Sequence, residues 1–172
     1  GNDWNTVSQT QLRYGAGTSN TQQFNVATLA NKSDKEKLMY SHMAYTQDGT
    51  LYREETAGKW ANTSAQITDV ELVNTNTGSF DSDNEMVVLG WDEDDTHTTN
   101  FWEELASVDL SGGTATSLSS GTFTSKKYLM VQWFCERSGS GDIQPVLQVG
   151  TGGSIDNGQN YPMRLSQNGG SE

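Results

Sequence analysis

Apolar residues in this chain recur at every second position in short runs. In YLMVQWFCE, residues 128–136, Leu129, Val131, Trp133 and Cys135 fall on one face, and Met130, Gln132, Phe134 and Glu136 on the other. A period of two is the signature of a β-strand with one buried face. In QITDVELVN, Ile67, Val70, Leu72 and Val73 read as a strand with a local irregularity, and EMVVLGW is apolar enough for a central strand covered on both faces. FWEELASVDL has helical propensity but ends in SVDLSGG, as a strand would, and is read as one. QQFNVATL, EKLMYSHMAYT, GKWAN, GTFTS, IQPVLQVG and NYPMRLS complete the set. They are parted by DGT, TGSFDSDN, SGGT, SGSGD, GTGG and DNG, which is turn chemistry. About eight to ten short strands at this spacing predict an all-β fold: an antiparallel β-sandwich, jelly-roll-like, over residues 22–172. Pro145 and Pro162 suit edge strands or bulges. Residues 1–21 are polar and rich in Thr, Asn and Gln, and read as an N-terminal arm.

Composition narrows the function. The 172 residues can build a core of their own, and a single cysteine, Cys135, permits no intrachain disulfide. A net charge of −12 with only ten Lys and Arg argues against nucleic acid and against an anionic membrane surface. No apolar run approaches the roughly 18 residues of a membrane-spanning helix. GNDWNTVSQTQ has neither the basic nor the apolar region of a signal peptide.

The most reactive-looking stretch is WDEDDTHTTNFW, residues 91–102. Asp92, Asp94 and Asp95 offer hard oxygen ligands of the kind calcium prefers, as do Asp81, Asp83 and Glu85 in FDSDNE. Consecutive side chains on an extended backbone diverge, and the turn glycine and distal Glu of an EF-hand are missing, so a solvated inter-strand loop is expected and no cofactor is required. His97 stands without nearby cysteine as a zinc ligand. His42 and Cys135 sit inside strand patterns, and no nucleophile elbow, phosphate loop or dinucleotide fingerprint is present, so no enzyme is expected and no catalytic residue is assigned. Trp91 lies at a strand end beside the acidic loop, where it is a candidate glycan contact in a lectin-like module. The sequons at Asn31 and Asn62 are the triplets an Asn-, Thr- and Ser-rich chain produces by chance.

GKWANTSAQITDVELVN, VVLGWDEDDTHTTNFWEELASVDLSGG, TSKKYLMVQWF and NYPMRLSQNGG, in that order, give residues 35–171 a resemblance to β-rich virion proteins of tailed phages and archaeal viruses, a group frequent in environmental viral sequences. The chain departs from that pattern at WFCERSGSGDIQPVLQVGTGG, which is less polar here. The resemblance implies a virion component, such as a capsid decoration, fibre or shell protein, located in the virion or outside the cell. It carries no catalytic residue. Copies of the chain itself and other virion proteins are the expected partners, with surface glycans as a further class. A subunit of an extracellular filament or tube obeys the same physics. Assembly is expected through strand addition by the segment after the arm, with Phe24, Val26 and Leu29 as its apolar residues. The alternative for that segment is an ordinary first strand of its own sheet.

Overall fold

The computed structural model describes residues 2–6, 9–13, 20–47, 49–96, 101–139 and 142–168. Within them it contains fourteen strands and no helix. The strands are β1 (Asn2–Thr6), β2 (Leu12–Arg13), β3 (Asn20–Ala30), β4 (Lys37–Gln47), β5 (Thr50–Trp60), β6 (Asp69–Asn74) and β7 (Ser79–Phe80). They continue with β8 (Glu85–Trp91), β9 (Glu103–Asp109), β10 (Ser117–Thr122), β11 (Tyr128–Ser138), β12 (Pro145–Thr151), β13 (Ser154–Ile155) and β14 (Met163–Asn168). All pairings are antiparallel. The large sheet runs β1-β14-β5-β4-β3-β11-β8-β9, with β7 beside the end of β11; the small sheet runs β10-β6-β12-β13, with β2 also on β12. Inward side chains of both sheets form one buried apolar cluster, so the architecture is sandwich-like.

The period-two patterns set the faces. β4 alternates buried and exposed along KLMYSHMAY, with Met39, Met43 and Tyr45 inward and Leu38, Tyr40 and His42 outward. Leu129, Val131, Trp133 and Cys135 of β11 are buried and meet Leu72, Leu147 and Val149 of the small sheet in the common core. Burial pushes the Cys135 thiol pKa far up, which suits a core residue and not a nucleophile. The irregularity expected in β6 sits in its partner, where the β10 register shifts between Ser119 and Thr122. Pro145 opens β12, a position where a missing N–H is tolerated.

Three expectations change. Residues 2–6 of the arm are β1, paired with β14, and Leu12–Arg13 pair with β12; both lie on the chain's own sheets. The segment of Phe24, Val26 and Leu29 is β3, an interior strand hydrogen-bonded to β4 on one side and β11 on the other. Strand addition needs a free edge, and this strand has none. Phe24 and Val26 face outward and Leu29 inward, because an odd offset along a strand changes face. β8 is central in the sheet but covered on one face only: Met86 and Val88 are buried, whereas Val87, Leu89 and Trp91 stay half-exposed.

Side-chain hydrogen bonds tie the sheets at their ends. Asn31 is fully buried just after β3; its Nδ2 donates to the carbonyl oxygens of Ile67 (3.1 Å) and Lys126 (2.9 Å), and its Oδ1 accepts the Ile67 N–H (2.7 Å). Asp69 accepts from the Thr68 hydroxyl (2.6 Å), the Thr122 hydroxyl (2.7 Å) and the Gly153 N–H (3.0 Å). Asp156 accepts from Trp60 Nε1 (2.6 Å), Asn160 Nδ2 (2.9 Å) and the Gly158 N–H (2.8 Å). Burial raises both carboxyl pKa values, but the donors outweigh it and hold each below the ordinary carboxylate range.

The inner face of β3 and β4 is less well matched. The amides of Gln23 and Asn25 and the hydroxyl of Ser41 are buried without a hydrogen-bond partner. Because a buried unpaired amide forfeits its hydration, Asn25→Leu should raise unfolding stability by about 1–2 kcal/mol. Urea denaturation measures it, and an unchanged or lower midpoint would show that Asn25 has a partner in solution.

Candidate functional site

The outer face of the large sheet is the candidate site. Strand pairing places side chains from six strands in rows across it. One row runs Lys59, Leu38, Ala30, Tyr128, Trp91, and the next Ala57, Tyr40, Thr28, Met130, Leu89, Glu104. A third runs Glu55, His42, Val26, Gln132, Val87, Ser107, and a fourth Arg53, Ala44, Phe24, Phe134, Glu85, Asp109. The middle four strands contribute mostly apolar groups, broken by Thr28, His42, Gln132 and Glu85, and the other charges of these rows lie on the flanks, β5 and β9. Among the described residues five large apolar side chains are exposed, and all five lie on this face: Phe24, Leu38, Tyr40, Leu51 and Phe101, at 44% to 72% exposure.

Hollows interrupt the face toward both ends of its strands. The larger, about 490 Å³, lies between Leu38 and Tyr40 of β4 and the aromatic rings at the β8–β9 turn. There Trp91 stacks with Phe101 (centroids 4.7 Å apart) and with Tyr128 (5.1 Å), and Trp102 meets Phe101 edge-on at 6.0 Å. The smaller, about 180 Å³, lies at the other end of the strands among Phe24, Ala44, Leu51 and Phe134. Thr28 supplies the one side-chain hydroxyl outside the aromatic residues in the larger hollow, and it reaches the Tyr40 carbonyl at 3.3 Å.

Trp91 thus sits beside the acidic loop, as its sequence position implies, but two rings of its own chain lie along it. The loop carboxylates are committed elsewhere. Asp92 accepts the Lys127 N–H, and Asp95 accepts the Asp92 N–H (2.8 Å) and binds Lys126 Nζ (2.6 Å). Lys126 also reaches Glu103 (2.9 Å), and Lys127 reaches Glu93 (2.5 Å). The hydrogen bonds that Lys126 donates to Asp95 and Glu103 raise its pKa, so the ammonium stays charged. Asp94 is exposed. In the second acidic stretch Asp81 accepts the Ser82 N–H (2.7 Å), Asp83 is exposed, and Glu85 points outward from β8. Among the described residues no three acidic, His or Cys side chains converge as a metal site; His97 lies outside them. Adding calcium or EDTA should therefore leave the melting temperature within about a degree. Bound calcium would stabilise the fold by mass action, and a calcium-dependent rise of ten degrees or more would require a site at these loops.

Sequence reasoning singled out Trp91 and missed Leu38, Tyr40, Phe101 and Tyr128 as its neighbours. The available signal was the outward parity of apolar residues in β4, where Leu38 and Tyr40 break the usual polar exterior. His42 lies on the same face, 3.8 Å from Glu55 and edge-on to Tyr40. In comparisons with protein-family models, curated proteins and solved structures, the chain matches none.

Proposed function

We propose that the protein is a non-enzymatic structural module that self-assembles, and that the outer face of the large sheet is its contact surface. The observation that carries this reading is the segregation of every large exposed apolar side chain of the described residues onto that one face. Half of five such side chains amounts to roughly 500 Å² of apolar area. That is near the top of the roughly 300–600 Å² that the largest patch of a monomer exposes, and patches of this size mark contact sites. Half-buried Val26, Val87, Leu89, Met130 and Phe134 enlarge it.

The finer reading is a jelly-roll-like virion component, a capsid decoration, fibre or shell protein, acting in the virion or outside the cell with copies of itself and other virion proteins as partners. The sequence resemblance supports the virion setting. The chain's passage from sheet to sheet, β5 to β6, β9 to β10 and β11 to β12, supports the jelly-roll comparison. A filament subunit would use the same surface. A glycan-binding role draws less support: the larger hollow offers few hydrogen-bonding groups to sugar hydroxyls, and Trp91 already stacks with Phe101 and Tyr128.

Light scattering over a concentration series, with negative-stain images of the purified chain, tests the proposal. Oligomers or ordered assemblies are expected. A monomer at every concentration, together with selective retention on a glycan array, would replace it by the lectin-like reading.

A further inference from the structure

We infer that the occupant of the outer face is a second copy of this chain, seated by a two-fold axis that runs along the strands between β3 and β11, an inference that rests on that face being a protein contact surface. A closed pair of identical chains needs a self-complementary patch, in which residue i meets j and j meets i. The large sheet supplies one. Rotation about this axis lays β3 over β11, β4 over β8 and β5 over β9 of the other copy, because the order is β5-β4-β3-β11-β8-β9.

The rows then match in chemistry. In the first, Leu38 of each copy meets the Trp91–Phe101 stack of the other, and the larger hollow beside that stack receives it. In the second, Tyr40 lies over Leu89. In the fourth, Phe24 lies over Phe134, next to the axis, and the smaller hollow lies beside them. The ends of that row are charged with opposite sign: Arg53, 67% exposed on β5, comes over Asp109, exposed on β9. Packed sheets cross at about 30°, which shifts facing partners by roughly one residue on β4 and β8 and roughly two on β5 and β9, so on the flanks the match is of strand to strand.

Area and charge favour this occupant. The exposed apolar area, with the half-buried residues between, approaches the ~800 Å² per partner of a standard interface. The net charge of −12 opposes association, but screening reduces repulsion between charges more than about 8 Å apart at physiological salt. The outward charges of the four middle strands are Glu85 and Glu136, with His42 on the same face; Glu136 lies next to the axis and comes over the uncharged Gln22 of the other copy, so few like charges are forced together. Each flank instead meets the opposite one.

The experiment is sedimentation velocity on the full chain and on variants whose fold is checked by circular dichroism. The unaltered chain is expected to dimerise. Leu38→Asp, at an exposed position, and Phe24→Asp as a second variant should each weaken dimerisation at least ~100-fold, since every dimer buries two copies of the unpaired charge. Arg53→Asp and Asp109→Arg should each weaken it roughly tenfold, and together restore it. If the unaltered chain is monomeric up to millimolar concentration, both self-assembly and this pairing fall. If oligomers persist in Leu38→Asp and Phe24→Asp, the outer face is not the contact surface. If those variants abolish the dimer but the double charge exchange does not restore it, the face stands and the two-fold pairing is wrong.

Discussion

Asn31→Ala should destabilise the protein by about 3–5 kcal/mol without changing its fold. The side chain is fully buried and makes three hydrogen bonds, two to Ile67 and one to Lys126. Alanine leaves the Ile67 N–H and carbonyl unpaired in the buried interior and the Lys126 carbonyl unpaired in a part-buried place, and each buried group costs about 1–3 kcal/mol. The loss should be felt in two connections at once, because Asn31 joins the end of β3 to the β5–β6 segment and to the segment before β11. Its own backbone adds to the knot, with its N–H donating to Lys127 (2.6 Å) and its carbonyl accepting from Gln66 Nε2 (2.8 Å). Asn31→Asp should do no better, since it keeps one acceptor but places a charge beside two carbonyl oxygens. Chemical denaturation measures the cost; a loss under 1 kcal/mol for the alanine variant would mean that these bonds are remade elsewhere. The same geometry means that the Asn31-Lys32-Ser33 sequon cannot carry a glycan on the folded chain, because its acceptor nitrogen is enclosed.

Gly150→Ala should cost a similar amount, about 3–5 kcal/mol, and lower the melting temperature by roughly 10 °C or more. A Cβ at position 150 would stand 2.1 Å from the Ser154 carbonyl oxygen and 2.8 Å from Ile155 Cα. Both belong to the backbone of β13, so no side-chain rotation relieves the clash. The β12–β13 hairpin turns through Gly152 and Gly153, both at positive φ (63° and 83°), and Thr151 pairs with Ser154 across it. Forcing the strands apart withdraws the Gly153 N–H from Asp69 and the Gly152 N–H from Thr68. Differential scanning calorimetry reads the shift. Gly112→Ala is the matched control, with positive φ (94°) but nothing within 4 Å of the added methyl, and should cost only about 1–2 kcal/mol.

Much of this fold was legible in the sequence because its strands alternate. β4 and β11 announced their faces through Met39/Met43 against Leu38/Tyr40 and Leu129/Val131 against Met130/Gln132. β5 was legible only at its GKW end, since its inward positions include Glu54 and Thr56, polar groups that pattern reading assigns to solvent. β3 was legible as a strand but not as an interior one. Alternation gives the face of a residue and says nothing of how many neighbours the backbone has. β1 was hidden in a polar stretch that pairs with β14 through backbone groups, which composition does not record. The site was the least legible part. Trp91 stood out, yet Leu38, Tyr40, Phe101 and Tyr128 reach it only through the pairing registers of β4, β3, β11 and β8 and the β8–β9 turn. The acidic loop drew attention by composition, but its carboxylates serve Lys126 and Lys127, residues more than thirty positions away.

The placement of β14 between β1 and β5 governs the time course of folding. β4 and β5 can zip early, since Gln47 and Thr50 pair and only two residues of sequence separate them, Gly49 among them at φ 79°. The next strand outward, however, is more than a hundred residues further along the chain, so one rim of β5 presents unpaired N–H and C=O groups until the segment from Met163 onward has been synthesised. Such loop closure is slow, and topologies dominated by it complete in milliseconds to seconds. During that interval the nascent chain shows both an open sheet rim and the apolar outer face, and it is then, before any native surface is finished, that it is most exposed to aggregation.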